Sequence, residues 1–179
     1  MPVPKISISF NQLLNMTIIS LKDFILTGNF GQISLGMTKR EVIEYLGEPS
    51  ETIDFGAGVS ELFYNGFEFF YWTDNEKIFG IQNDSIEQLF TKNTKYILNK
   101  NTNVDTSFFS FSKTLTYKNL TEYLIKENIT FDRVNKGEYD EIKFLSGVTF
   151  DFENSEHMEN IDFDRNNLRL NGIRFHKIE

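Results

Sequence analysis

The chain offers few side chains that could take part in acid–base or nucleophilic chemistry. Its 179 residues include no cysteine and only two histidines, His157 and His176. Neither histidine belongs to a metal-binding spacing such as His-Glu-x-x-His, and no Gly-x-Ser-x-Gly nucleophile motif occurs. We therefore predict that the protein is not an enzyme, has no catalytic residues or metal ligands, and needs no cofactor.

Two pairs of closely spaced glycines could belong to phosphate-binding loops. Gly28 and Gly31 form one pair, and Gly56 and Gly58 form the other. A phosphate-binding loop leads directly into a helix and often carries a lysine, and neither pair has both features. We therefore interpret both pairs as turns.

The densest acidic segment runs from Asp151 to Asp164. A calcium site needs six or more oxygen ligands that a tight turn brings together, and this segment lacks the glycine of an EF-hand loop. A solvated or partner-facing acidic edge is therefore favoured over a metal site. The acidic residues of the segment are Asp151, Glu153, Glu156, Glu159, Asp162 and Asp164.

The whole chain is acidic, with a formal net charge of -8 and a pI of about 4.9. Solubility alone is the commoner reason for such a charge. The negative field nevertheless argues against nucleic acid as a partner and favours a basic or neutral protein.

The aromatic segment at residues 67–72 gives the main candidate for a binding surface. Because side chains alternate along a strand, Phe67, Phe69 and Tyr71 share one face, which we assign to the core. The opposite face then carries aromatic and acidic side chains. Aromatic side chains inside a charged rim are typical of protein-binding hot spots. The predicted partner-binding residues are Phe63, Glu68, Phe70, Trp72, Asp151 and Glu153.

A second interpretation of this aromatic face stays open. Leu14, Ile18, Leu21 and Ile25 recur at helical spacing, which predicts an amphipathic helix over residues 12–26. That helix could pack over Phe63, Phe70 and Trp72 and bury them.

Local signals place the other elements. Residues 5–10 alternate as a short strand, and Thr38 with Glu41 forms a capping box at the start of a helix that Gly47 ends. A third helix is predicted over residues 116–126. Strands are predicted at residues 61–64, 67–72, 77–82, 130–134, 141–145, 148–153 and 168–175. The predicted core residues are Val42, Leu46, Leu62, Tyr64, Phe67, Phe69, Leu120, Leu124, Ile142, Phe144, Val148 and Phe150.

Three pairs of similar segments keep their order along the chain, which indicates an internal duplication. The pairs are residues 38–46 and 116–124, 61–69 and 141–150, and 80–81 and 172–173. We therefore predict an α+β fold with two tandem helix-plus-antiparallel-sheet repeats, preceded by an N-terminal strand and helix. The predicted domains are 1–30 (N-terminal strand and helix), 31–90 (first helix-meander repeat), 91–106 (connector) and 107–179 (second helix-meander repeat).

Residues 35–49, which read Leu-Gly-Met-Thr-Lys-Arg-Glu-Val-Ile-Glu-Tyr-Leu-Gly-Glu-Pro, resemble the helix motif of the SmpA/BamE family of small outer-membrane lipoproteins. Two such units in tandem resemble the architecture of the β-lactamase inhibitor protein. The second copy departs from the motif, since Leu115-Thr116 replaces Gly-Met-Thr. The resemblance implies a sheet surface that grips a globular enzyme.

Together these observations predict a non-catalytic protein-binding inhibitor, namely an immunity (antitoxin-like) protein that neutralises a basic toxin or enzyme. The alternatives are an envelope-associated scaffold module and a small-ligand-binding protein. The absence of cysteine suits a reducing compartment. The start lacks a leader pattern, and the run at residues 13–26 is too polar and too short to span a bilayer. We therefore expect a cytoplasmic protein without a membrane partner.

Overall fold

Strands dominate the structure, a computed structural model that describes residues 16–84, 94–112, 114–135, 140–153 and 164–177. The described helices are α1 (Leu21–Thr27), α2 (Lys39–Leu46) and α3 (Tyr117–Lys126). The described strands are β1 (Thr17–Ser20), β2 (Glu51–Gly56), β3 (Val59–Tyr64), β4 (Phe67–Trp72), β5 (Ile78–Asn83), β6 (Lys95–Asn99), β7 (Thr102–Asp105), β8 (Phe131–Asn135), β9 (Asp140–Phe144), β10 (Thr149–Glu153) and β11 (Arg169–His176). Two short 3₁₀ turns, Ser107–Phe109 and Arg165–Asn167, complete the described elements.

Eight strands form one antiparallel sheet in the order β2-β3-β4-β5-β11-β10-β9-β8. Its centre is the pairing of β5 with β11, which sets Ile81 opposite Phe175 and Gly80 opposite His176. A smaller sheet has the order β1-β7-β6, in which β1 runs parallel to β7. The large sheet therefore joins strands from both halves of the chain by direct hydrogen bonding.

The predicted fold class, α+β with two tandem helix-plus-antiparallel-sheet repeats after an N-terminal strand and helix, was wrong. The structure is mostly β, with a single eight-stranded sheet, a separate three-stranded sheet and three short helices in the described residues. The physical reason is edge pairing: β5 and β11 bond to each other, so neither half has a sheet of its own. The predicted domain boundaries stay predictions.

The N-terminal helix predicted over residues 12–26 was wrong in extent. Residues 12–15, and the predicted strand 5–10, lie outside the described residues. The remainder splits into β1 and α1, because β-branched Ile18 and Ile19 pair with β7 while Ser20 caps the helix. The Ser20 hydroxyl accepts a hydrogen bond from the Asp23 amide at 3.1 Å.

The predicted connector at residues 91–106 contains two strands, β6 and β7. Leu98 and Val104 are buried, and the Tyr96 ring packs on Phe67 with 6.2 Å between centroids. Its Asn and Thr content is typical of a loop, but the alternating burial along β7 fits a strand against the core.

The capping box predicted at Thr38 is confirmed. The Thr38 amide donates to Glu41 Oε2 at 2.7 Å, and the Glu41 amide donates to Thr38 Oγ1 at 3.3 Å. Gly47 ends α2 as expected, and its carbonyl accepts a hydrogen bond from the Tyr64 hydroxyl at 2.7 Å. This bond ties the end of α2 to β3.

One face of the large sheet, here called the inner face, carries the core. All twelve predicted core residues are buried, with at most 3% of any side chain exposed. Phe24 of α1 contacts Phe175, and Tyr117 of α3 contacts Phe152, with centroids 6.2 and 5.2 Å apart. Gly28 ends α1 at a φ of 77°, and an added Cβ there would lie 2.9 Å from Phe175 Cζ. The opposite surface of this sheet is called the outer face.

Within the described residues, no helix combines the length and the apolar character that crossing a bilayer requires. The ten residues of α3 rise about 15 Å, against about 30 Å of hydrocarbon.

Candidate protein-binding surface

The structure brings most of the predicted partner-binding residues onto the outer face. Strand register sets Phe63 opposite Glu68, with Phe70 and Trp72 on the same side of β4. Asp151 of β10 reaches the same face, because it pairs with Gly172 of β11. The backbone of Glu153 pairs with that of Arg169, and the side chain of Glu153 lies outside what the structure describes.

The alternative in which the N-terminal helix covers the aromatic face was wrong for the described part of that helix. α1 lies against the inner face, since Phe24 contacts Phe30 and Phe175. Phe63, Phe70 and Trp72 are each partly exposed on the other side of the sheet.

Four side chains form a continuous aromatic cluster on the outer face: Phe55, Phe70, Phe79 and Trp72. Trp72 stacks on Phe79 with centroids 4.2 Å apart and planes inclined by 23°. Phe70 contacts Phe79 at 6.2 Å and Phe55 at 6.0 Å. Phe55 is the most open, with 57% of its surface exposed. The cluster presents stacked ring faces and edges, and aromatic side chains of this kind dominate the energetics of protein interfaces.

The imidazole of His176 extends the aromatic cluster across β5. It contacts Phe70 edge to face, with centroids 6.0 Å apart. Gly80 makes room for it, because a Cβ at that position would lie 2.7 Å from His176 Cδ2. Partial removal from water, and then the Arg174 charge, lower the pKa of His176, while Asp84 raises it. The imidazole is therefore mostly neutral near pH 7 and suits contact with apolar groups.

A depression of about 420 Å³ borders the aromatic cluster at Trp72 and Phe79. Its lining also includes Leu35 and Ile78, together with Lys77 and Lys177. The cluster therefore ends in a concave site able to take one apolar side chain.

The other half of the outer face carries a polar network around Arg174. Its Nε lies 2.6 Å from Asp151 Oδ2, and its Nη2 lies 3.4 Å from Asp84. The Gln82 amide donates to Glu68 at 2.5 Å and to Asp84 at 3.3 Å. Gly172 leaves room for the Asp84 carboxylate in this network, since a Cβ at position 172 would lie 2.7 Å from Asp84 Oδ1. The network holds these polar side chains in fixed positions.

The outer face as a whole is acidic. By register and contact, its described basic side chains are Lys143, Arg169 and Arg174, together with Lys77 and Lys177 at the depression beside the aromatic cluster. Its acidic side chains are more numerous: Glu51, Glu61, Glu68, Asp84, Asp132, Glu141 and Asp151. Burial first, and then Asp84, raise the pKa of Glu68, while its bond to Gln82 and the Arg174 charge lower it.

Three important side chains of this surface were missed by the sequence interpretation. Arg174 was assigned only to a strand, and its ion pairs depend on a contact between distant segments. Phe79 faces outward after a register shift between Phe70 and Tyr71, which simple alternation does not predict. Glu61 lies on the face of β3 opposite to the predicted core residues Leu62 and Tyr64, so strand alternation could have identified it.

The acidic segment considered for calcium is only partly described. His157, Glu156, Glu159 and Asp162 lie outside the described residues. Asp151 is engaged with Arg174, and Asp164 accepts hydrogen bonds from the Asn166 amide and the Asn167 side chain. Among the described residues, no three His, Asp or Glu side chains are grouped as metal ligands.

Comparison with known proteins leaves the family of the chain open. No family model matches it, and no curated protein matches it. Among solved structures, an extracellular protein containing an SCP domain from Bacillus anthracis str. Ames is similar, with a TM-score of 0.35 and 13% identity. The match covers 98% of this chain and 50% of that chain. At this distance the similarity carries no argument about fold or function.

Proposed function

We propose that the protein is a non-catalytic inhibitor that binds a basic protein through its outer face, as an immunity protein neutralises a toxin or enzyme in the cytoplasm. The observation that carries this proposal is the aromatic cluster, which joins an acidic, hydrogen-bonded surface on one continuous sheet. Hot spots of protein interfaces have this composition, with aromatic anchors at the centre and charge around them.

The size of the outer face supports the proposal. At the usual strand spacing, an eight-stranded sheet is about 34 Å wide, and strands of five or six residues are about 17 Å long. This footprint of about 580 Å² is nearly three quarters of the roughly 800 Å² that each partner contributes to a standard interface. A small-molecule substrate would need only a small part of it.

The charge of the outer face supports a basic partner. Opposite charge raises the rate of association and disfavours acidic competitors. The aromatic cluster would then slow dissociation, because it excludes water from the centre of the contact.

A catalytic role is less well supported. His176 contacts Phe70 and Gly80, and no described Ser or Thr hydroxyl makes a hydrogen bond to it. The ordinary requirement for nucleophilic catalysis is a base within hydrogen-bond reach of the nucleophile. The resemblance of residues 35–49 to the SmpA/BamE motif and the envelope-scaffold alternative both stay predictions.

The small-ligand alternative has one observation in its favour. A depression of about 480 Å³ lies along the polar half of the outer face, lined by Asp151, Arg174, Asn171, Lys143 and His176 among others. It is open to solvent along the sheet, whereas ligand pockets enclose most of their ligand. We therefore place it within the protein-binding surface.

The test begins with affinity capture from an extract of the source cell and identification by mass spectrometry. The purified candidate is then titrated calorimetrically with the wild-type chain, and its own activity is measured with and without the chain. Trp72→Ala should weaken binding by about 2 kcal/mol, or roughly thirtyfold, with the melting curve retained.

Ile125→Ala provides the matched control. Ile125 is 59% exposed on α3, which packs on the inner face. The control should bind as tightly as the wild-type chain. Normal binding by Trp72→Ala, or a partner whose activity the chain does not reduce, would overturn the proposal.

A further inference from the structure

Glu61 has an unusual environment for a charged side chain on the outer face. It lies in the middle of β3, opposite Ile53 of β2 and Phe70 of β4, and only 3% of it is exposed. On its own strand its same-face neighbours are Val59 and Phe63. The carboxylate is therefore surrounded laterally by apolar side chains.

No cation within the described residues satisfies this carboxylate. Glu61 makes no hydrogen bond or ion pair with any described residue, and the charged groups that act on it are the carboxylates of Glu68 and Glu51. Arg174, which also lies on the outer face, is engaged with Asp151 and Asp84. A buried carboxylate without a partner is costly, so it is stabilised either by a proton or by an incoming cation.

The groups that cover Glu61 are side chains that can move. Val59, Phe63, Phe70 and Ile53 are each partly exposed, so rotation of their side chains gives access to the carboxylate without any change in the backbone. Burial, and then the charges of Glu68 and Glu51, raise the pKa of Glu61 to about 7. The free chain therefore holds a proton on Glu61 part of the time near neutral pH.

We propose that Glu61 is the anchor for an arginine side chain of the partner protein. This inference rests on the proposed function and names the chemistry of its central contact. The guanidinium replaces the proton, donates two hydrogen bonds to the Glu61 carboxylate and lies against the ring of Phe70. The Glu68 and Glu51 carboxylates add attraction from either side.

Arginine fits this site better than lysine for two reasons. Its planar group donates two parallel hydrogen bonds to one carboxylate, and it stacks on aromatic rings. It is also less strongly hydrated than an ammonium group, so it enters an apolar surround at lower cost.

The first experiment needs no partner. Carbon-13 NMR of the side-chain carboxyls follows the titration of Glu61 in methylguanidinium chloride and in potassium chloride at equal ionic strength. Methylguanidinium should lower the pKa of Glu61 further than potassium does, and Glu122, exposed on α3, should show no such difference. An equal pKa in the two salts would overturn the assignment of a guanidinium site.

The second experiment uses the partner protein identified by capture. Calorimetry at about pH 7 in buffers of different ionisation enthalpy measures the protons released on binding, and about half a proton per complex is expected from a pKa near 7. Glu61→Gln should abolish this release and weaken binding at least tenfold, whereas the control Glu122→Gln should leave both unchanged. His176 is a second titratable group in contact with Phe70, so His176→Gln is measured as well and should retain the release.

The two experiments separate the failure of this inference from the failure of the proposed function. If the wild-type chain binds the partner tightly without releasing protons, and Glu61→Gln binds it equally well, the arginine anchor is overturned. The inhibitor proposal then still stands. Conversely, methylguanidinium could lower the pKa of Glu61 as expected while the chain inhibits no protein. That result supports the cation site and overturns the inhibitor proposal.

Discussion

Arg174 of β11 lies 2.6 Å from Asp151 of β10, measured from Nε to Oδ2. Asp151 was predicted to contact a partner, and the structure shows that its charge is already paired within the chain. The same guanidinium reaches Asp84 after β5. Arg174 therefore connects three segments at the centre of the large sheet, where its two halves meet.

Loss of Arg174 should destabilise the fold. Arg174→Met leaves Asp151, with 13% of its side chain exposed, without its cation, and the free energy of unfolding should fall by about 1–3 kcal/mol. Adding Asp151→Asn should recover part of this loss, because it removes the carboxylate charge that the first change left unpaired. Urea denaturation of the single and double variants measures both effects. A double variant less stable than the sum of the two single losses would contradict this explanation.

Truncation of the inner-face aromatics should cost far more than truncation of exposed apolar residues. Phe69 contacts Phe30 and Tyr64, and Phe150 contacts Phe109 and Phe144. Each change to Ala should lower the unfolding free energy by about 3–5 kcal/mol, since a cavity remains. Leu145→Ala, at a residue 84% exposed, should change it by less than about 0.5 kcal/mol. Equal melting temperatures for all three variants would show that the faces are assigned wrongly.

Glu61 should make the folded state less stable as the pH rises, whereas an acid held in a salt bridge makes it more stable. Its pKa is about 7 in the folded chain and 4.5 as an ordinary glutamate, so the folded state binds the proton more tightly. Its contribution to stability is complete below about pH 4.5 and is lost as the pH rises through about 7. Glu61→Gln should therefore raise the melting temperature at about pH 8 and hardly change it at about pH 4.5. A gain of the same size at both pH values would argue against the raised pKa.

Reversal of exposed charges on the outer face should slow association with a basic partner. Reversing Asp151 would also break its pair with Arg174. The better sites are therefore Glu51 and Asp132, which are exposed on the edge strands β2 and β8. The double change to Lys should lower the association rate and flatten its dependence on salt. Changing Glu44 and Glu122 to Lys alters the net charge equally on the helices and serves as control. Stopped-flow rates that fall equally in both variants would indicate net charge alone, without a role for the outer face.

The sequence by itself determined much of the local structure and of the core. The capping box at Thr38 and Glu41 fixed the start of α2, because its two hydrogen bonds involve residues three apart. Alternation along Phe67–Trp72 sorted Phe69 to the inner face and Phe70 to the outer face, since strand geometry requires it. Both signals are local, so no knowledge of distant segments was needed.

Only the tertiary structure decided how the two halves of the large sheet join and which charged side chains form ion pairs. The pairing of β5 with β11, which makes one sheet where two repeats were expected, is a contact between residues about ninety positions apart. The same pairing brings Arg174 to Asp84 and His176 over Gly80, while Glu61 has no cationic partner within the part of the chain that the structure describes. Charges on separate strands interact through space, and their distances depend on strand order and register, which a local pattern does not encode.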